Sequence, residues 1–271
     1  TAPVSTVEFD REGTAIVTAA EDGTVRIWER DTGELRVTLP HGGEVNIAAF
    51  SSDGKTVATA GDDGVVRLWD ARTGARQRTL YGHTDSALGL AFDPQNELLA
   101  TTSADRTLRL WSRTGEEIAT LSEHASSVNW VAFSPDGTRL ATASSDNTIR
   151  TWERDGTPLS TLIGHTGPVN GLAFLSEREL ASVSDDRTLR IWNANKQRAL
   201  LSFEAHGDRA LSVATSADAI YTSGEDGALH QWYLDLESLF EQGCRWVRHY
   251  LVTNPSVTPS NKGICDGFVR P

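Results

Sequence analysis

The chain has 271 residues, with 25 basic against 37 acidic side chains and a net charge of -12 at pH 7, a balance that repels nucleic-acid phosphates and anionic membrane surfaces. It contains no apolar run long enough for a membrane helix and no charged-then-apolar leading segment, so neither nucleic acid nor a membrane is expected as a partner. Its two cysteines, Cys244 and Cys265, both fall in the last 28 residues, which excludes a disulfide framework for the main body and fits a reducing cytoplasm.

The first signal in chain order is Asp22, six residues before Trp28. The same offset returns at Asp63/Trp69, Asp105/Trp111, Asp146/Trp152, Asp186/Trp192 and Asp226/Trp232. These tryptophans lie 41, 42, 41, 40 and 40 residues apart, so one unit repeats along the chain. Units are expected near residues 3–40, 44–82, 85–122, 126–163, 167–204 and 208–233, the sixth without a candidate for its last strand. In the fourth copy, runs rich in Val, Ala, Ile and Thr at 128–133, 139–144, 148–152 and 158–163 are separated by Pro135-Asp136-Gly137 and Ser145-Asp146-Asn147. That pattern predicts a meander of four antiparallel strands, a to d. Such a sheet buries both faces only by stacking on its neighbours, and radial stacking leaves only short edges, so the expected fold is an all-β propeller of six blades.

Other residues recur in step. A histidine stands at His41, His83, His124, His165 and His206, nine positions before the end of strand a at Phe50, Phe92, Phe133, Phe174 and Thr215. Four residues before each turn Asp is a hydroxyl: Thr18, Thr59, Thr101, Thr142, Ser182 and Thr222. With Gly82-His83, Gly164-His165 and Trp69-Asp70, residues 1 to about 233 resemble the WD-repeat family. The resemblance implies that loop His, strand-b hydroxyl, turn Asp and strand-c Trp form hydrogen-bonded sets. These would be His41, Thr59, Asp63 and Trp69; His83, Thr101, Asp105 and Trp111; His124, Thr142, Asp146 and Trp152; His165, Ser182, Asp186 and Trp192; and His206, Thr222, Asp226 and Trp232. In each, Asp accepts from the His N–H, and a bond passes from His to the hydroxyl and on to the indole N–H.

A Ser/Thr-His-Asp group also suggests a hydrolase, but its repetition argues for struts over nucleophiles. Gly54-Lys55-Thr56 imitates the end of a phosphate-binding loop, yet Ala49 stands where its first Gly is required, so it reads as a hairpin turn. One arginine per blade, at Arg26, Arg67, Arg109, Arg150 and Arg190, faces the acidic turns and becomes His230 in the last copy. No non-repeated His, Asp, Glu or Cys cluster with ligand or triad spacing is evident. The expectation is therefore no enzyme, no cofactor and no metal.

If the loop His meets the turn Asp, both connections lie at one end of the propeller, its top. Early strand a then contributes Glu44, Asn46, Ser86, Leu88, Ser127, Asn129, Pro168, Asn170, Arg209 and Leu211, and the b-to-c turn Asp62, Ser145, Asp185 and Glu225. The resemblance implies that such positions contact protein partners, and their mixture of amides, acids and leucines suits a protein or peptide. Trp130, out of pattern beside Gly89 and Gly171, is either a hot spot or a space filler. The expected function is a non-catalytic protein- or peptide-binding module, with a purely structural scaffold as the alternative.

After the propeller at 1–233, residues 234–271 change character. Leu236, Leu239, Phe240, Gly243, Val247, Tyr250 and Leu251 recur at three-and-four spacing between Asp235 and Asn254-Pro255, which predicts an amphipathic helix packing on the last blade's open edge. Cys244 and Cys265 are either buried thiols or a redox-sensitive pair. The tail, with "GCRWVRHYLVTNP" and "ICDGF", resembles the endings of bacterial, notably cyanobacterial, WD-repeat proteins that carry a signalling NTPase of the STAND class. At the front, the first blade's His is expected just before Thr1, and "TAPV" aligns with "TGPV" at Thr166–Val169. The chain thus reads as the C-terminal piece of a longer protein, with upstream domains of the same polypeptide as further partners.

Overall fold

The computed structural model describes residues 2–195 and 197–233. Blade one comprises β1 (Val4–Phe9), β2 (Ala15–Ala20), β3 (Thr24–Glu29) and β4 (Leu35–Pro40); blade two β5 (Val45–Phe50), β6 (Thr56–Gly61), β7 (Val66–Asp70) and β8 (Arg76–Leu80). Blade three follows with β9 (Ala87–Phe92), β10 (Leu98–Ser103), β11 (Leu108–Ser112) and β12 (Glu117–Leu121), and blade four with β13 (Val128–Phe133), β14 (Arg139–Ser144), β15 (Thr148–Glu153) and β16 (Pro158–Ile163). Blade five has β17 (Val169–Phe174), β18 (Glu179–Ser184), β19 (Thr188–Asn193) and β20 (Ala199–Glu204), and blade six β21 (Ala210–Thr215), β22 (Ala219–Gly224) and β23 (Leu229–Tyr233). Each sheet is an antiparallel meander in chain order, four-stranded five times and three-stranded in blade six. The expected six-bladed propeller with an incomplete last blade is the observed architecture. The predicted tail helix, its packing and the Cys244/Cys265 pair lie outside the described residues. Among the described residues no helix is long and apolar enough to cross a membrane.

The turn Asp is built into the chain reversal between strands b and c. Its carboxylate accepts the amide two residues on, at Thr24, Val65, Thr107, Thr148, Thr188 and Ala228. The residue between them has positive φ: Gly23, Gly64 and Gly227, but Arg106, Asn147 and Arg187 in blades three to five. Asp serves this turn because its short side chain can bond its own backbone two residues ahead.

Apolar packing runs between blades. Blade one shares a core with blade two through Val17, Ile27, Val45 and Phe50, and blade two with blade three through Ala58, Leu68, Leu90 and Trp111. The pattern continues through Leu110, Val131 and Trp152, then Ile149, Leu172 and Trp192, then Leu189, Val213 and Ile220. Strand b lies between two neighbours, so its alanines Ala58, Ala60, Ala100, Ala141, Ala143 and Ala181 are fully buried. Small side chains let the sheets approach there, and close packing on both faces explains their recurrence.

No such core and no hydrogen bond joins blade one to blade six among the described residues. Phe9 is 54 % exposed where its counterpart Phe50 is 6 % exposed, and Val7, Leu211 and Leu229 are also open to solvent. This seam generates a comparative prediction. Phe50→Ala should cost about 3–5 kcal/mol in urea melts and Phe9→Ala less than about 1 kcal/mol. Equal costs would show that something covers the seam in solution.

Candidate functional site

The buried polar sets are the first chemistry to place. In blade three the Trp111 indole donates to Thr101 Oγ1 at 2.8 Å, and Thr101 lies 2.9 Å from His83 Nε2. His83 Nδ1 is 3.0 Å from Asp105, which also accepts the Thr84 amide. Blade four repeats this with Trp152, Thr142, His124 and Asp146, blade five with Trp192, Ser182, His165 and Asp186, and blade six with Trp232, Thr222, His206 and Asp226. The direction is the reverse of the sequence expectation. An indole N–H only donates, so the hydroxyl must accept it and donate onward to Nε2, which leaves Nδ1–H to donate to Asp. In this arrangement every proton is used.

Blade two departs from this arrangement. His41 Nδ1 lies 2.8 Å from Thr59 Oγ1, and Nε2 faces Arg67 at 2.8 Å, with Asp63 at 3.5 Å. Arg67 in turn reaches Asp63 at 2.8 Å. The expected His41-to-Asp63 bond is therefore replaced by an arginine bridge. Here Gly42 has a positive φ of 101°, and its amide donates to the Gly23 carbonyl. In blades three to six the equivalent amide (Thr84, Ala125, Thr166 and Gly207) grips the turn Asp. In blade one Trp28 still donates to Thr18 at 2.9 Å, while Asp22 is held by Thr24 and Arg26.

These hydroxyls are sealed from solvent: Thr59, Thr101, Thr142, Ser182 and Thr222 are at most 1 % exposed. Burial pushes the His41, His83 and His165 imidazoles below their ordinary value. Burial alone would raise the Asp105 carboxyl, but bonds from Thr107, the Thr84 amide and His83 together hold it down at about 2. The arginines are ion-paired, Arg26 with Asp22, Arg67 with Asp63, Arg109 with Glu117, and Arg190 with Asp186 at 3.8 Å.

The b-to-c turns and early strand a share one end. The amides of Asp62, Ala104, Ser145, Asp185 and Glu225 donate to the carbonyls of Glu44, Ser86, Ser127, Pro168 and Arg209. Three candidate contact residues also serve the fold. Asn46 Nδ2 donates to Asp62 and to the Ala87 carbonyl of blade three. Asn129 reaches Ser145 and Val169 of blade five, and Asn170 reaches Asp185 and Ala210 of blade six. They are latches from blade to blade, a role that only the juxtaposed next sheet reveals. Leu88 and Leu211 occupy the same register and make no such bond; Leu211 faces the seam. Trp130 sits half-buried in the wall of the central channel, packed against the cores on both sides and beside Gly89.

That channel, about 580 Å³, is walled by Phe9, Phe50, Phe92, Phe133 and Phe174 near its lower end. Glu8 projects a carboxyl where the other blades have Ala49, Ala91, Ala132, Ala173 and Ala214. Desolvation pushes it up to about 8, against a bond from the Phe50 backbone, although water still reaches it. Superposing the copies in sequence would have singled out Glu8. A second hollow, about 650 Å³, lies between blades two and three, with Asp53, Lys55, Arg78, Glu97 and Arg113 on its walls.

Two pH effects follow from the buried sets. The histidine contribution is fully present above the ordinary value of 6.5 and declines below it, because the unfolded imidazole then takes a proton that the folded one resists. The Asp105 contribution is present above the ordinary carboxylate range and is lost as the pH falls toward about 2. Urea melts at falling pH should therefore show stability declining from pH 7 downward. At pH 7, Asp105→Ala should cost about 1–3 kcal/mol by leaving His83 and backbone donors unmatched. A variant as stable as the parent would contradict the buried relay.

Among curated proteins no significant match to the chain is found. Among solved structures the chain is similar to one described as "Structure of U3-55K", with 24% identity and a TM-score of 0.80 over 87% of this chain and 78% of that one. It is likewise similar to "Crystal structure of RRP9 WD40 repeats", with 23% identity and a TM-score of 0.79 over 87% and 77%. At these identities the likeness speaks to the fold. A family model described as "IFT122 first beta-propeller" matches residues 3–265. With its propeller architecture and its repeated Trp, hydroxyl, His and Asp relay, the chain belongs to that family of WD-repeat β-propellers.

Proposed function

We propose that the chain is a non-catalytic protein- or peptide-binding propeller whose top face receives a basic segment. The observation that carries this reading is the crowding of Glu44 and Asp62. A side-chain bond to Asp62 and the charges of Asp62 and Glu21 raise the Glu44 carboxyl above its ordinary value, and no lysine or arginine pairs with Glu44 or Asp62 among the described residues. Like charges held together without a cation favour a cationic partner and steer its approach. Arg209 does not offset them, because it is engaged by Glu225 and Asp185.

The finer reading is that this propeller forms the sensor end of a larger bacterial signalling protein in a reducing cytoplasm. Its support is the likeness of the tail to bacterial WD-repeat proteins with an NTPase, and upstream coding sequence with a phosphate-binding loop would strengthen it. Glu44 takes part in neither the buried relay nor a latch to the next blade, whereas Asp62 also orients Asn46 and Asp185 also orients Asn170.

Binding of a fluorescent Lys/Arg-rich peptide, and capture from a source lysate, would test the reading. Glu44→Lys with Asp62→Lys should weaken peptide binding at least about tenfold, as removal of complementary charge at an interface does. Lys55→Glu with Arg113→Glu, at the opposite end, should leave it unchanged. Loss confined to the second pair would contradict the proposal.

A further inference from the structure

Blade six breaks the repeat at one chemically decisive position. Four residues after the turn Asp, where five blades carry arginine, it carries His230. In blade two that arginine reaches the tetrad itself, with Arg67 2.8 Å from His41 Nε2. In blade six the equivalent space holds a second imidazole: the His206 and His230 rings have centroids 4.9 Å apart and planes inclined by 56°. Donor atoms of His206, Asp226 and His230 all lie within 4.8 Å of one another. The sequence expectation of no non-repeated ligand cluster is thereby corrected. The cluster was hidden because two of its members also belong to the repeat.

We infer that His206, Asp226 and His230 form a binding site for a divalent first-row transition ion of the zinc class. Two imidazoles and a carboxylate are the donor set that such ions take, and three protein ligands leave a position for water or a partner's side chain. Bonds of about 2.0–2.2 Å require donors roughly 3.3 Å apart. His206 Nδ1 already lies 3.1 and 3.2 Å from the two Asp226 oxygens. The remaining contraction falls to His230, whose side chain is exposed on β23, a strand without a paired outer neighbour among the described residues.

The surroundings are arranged for a ligand role. The Gly207 and Ala228 amides hold the Asp226 carboxylate at 2.8 and 3.0 Å. Gly224 leaves the room: a Cβ there would come within 2.6 Å of His206 Nδ1 and 2.9 Å of Asp226 Oδ1. Blades three to five carry Ser103, Ser144 and Ser184 at that place, with the hydroxyl accepting the turn amide. On binding, His206 changes tautomer with no net release of a proton: Nδ1 gives its proton to solvent, Nε2 takes one up from solvent, and the freed Nδ1 lone pair takes the ion. The proton on the ring then sits on Nε2, 2.9 Å from Thr222 Oγ1, so Thr222 accepts from both His206 and Trp232 while its own hydroxyl hydrogen turns to another acceptor. An outer hydrogen bond of this kind orients a metal-bound imidazole.

The test uses the full 271-residue chain, tag-free and chelator-treated, with Cys244→Ser and Cys265→Ser so that thiols contribute nothing. Calorimetric titration with Zn²⁺, and the visible ligand-field spectrum on adding Co²⁺, should show one saturable equivalent with nitrogen and oxygen donors. His230→Arg restores the side chain of the other blades and leaves the relay intact; it should keep the metal-free melting temperature and lower affinity by about 10- to 100-fold or more. Equal binding by His230→Arg, or no saturable binding by the parent, would overturn the site.

Discussion

A sheet whose inner strands are buried on both faces needs a neighbour on each side, and this constraint organises the molecule. The centre of strand b carries small side chains that let both neighbours approach, as at Ala58, Thr59 and Ala60 and again at Ala141, Thr142 and Ala143. Their hydroxyls are then cut off from water, so each must be satisfied internally. The tryptophan of strand c supplies a donor and the loop histidine an acceptor. The turn Asp terminates the relay at the surface. Packing and polar chemistry are thus two consequences of the same stacking, and together they account for the recurrence of a group that would otherwise suggest catalysis.

The same constraint separates the middle of the array from its ends. Between blades, asparagines in early strand a tie one sheet to the backbone of the next, and the shared cores are continuous from blade one through blade six. At the seam, Leu211 occupies the latch register without a polar group, Phe9 is exposed where Phe50 is buried, and no shared core forms among the described residues. The end blades are also where the pattern is least strict. Glu8 replaces alanine in blade one, and His230 replaces arginine in blade six. These two departures fall where packing demands fewest compromises, which makes them natural places to seek binding chemistry.

Much of this was legible in the sequence because the repeat supplies its own comparisons. A tryptophan period near 41 residues and turn residues at fixed offsets define the blades, and the three strands of blade six among the described residues match a sequence with no candidate for a fourth. What escaped depends on contacts between copies. Asn46, Asn129 and Asn170 read as surface amides until the next blade's carbonyl is in place. The rewiring of His41 goes with a Gly42 amide that bonds the Gly23 carbonyl and not Asp63, which no spacing records. The direction of the relay follows from the indole's being a donor only, a point of chemistry available from sequence. His230 was visible as an exception, but its proximity to His206 required the hairpin of β22 and β23.

Amide hydrogen exchange of the intact chain, resolved blade by blade, tests the central claim most directly, since protection reports local opening free energy. The account predicts slowest exchange in β6, β10, β14 and β18, each enclosed by blades on both sides, and fastest exchange in β1 and β23 beside the seam. Uniform protection across all six blades, or strong protection of β1 and β23, would contradict a structure governed by two-sided stacking with one open seam.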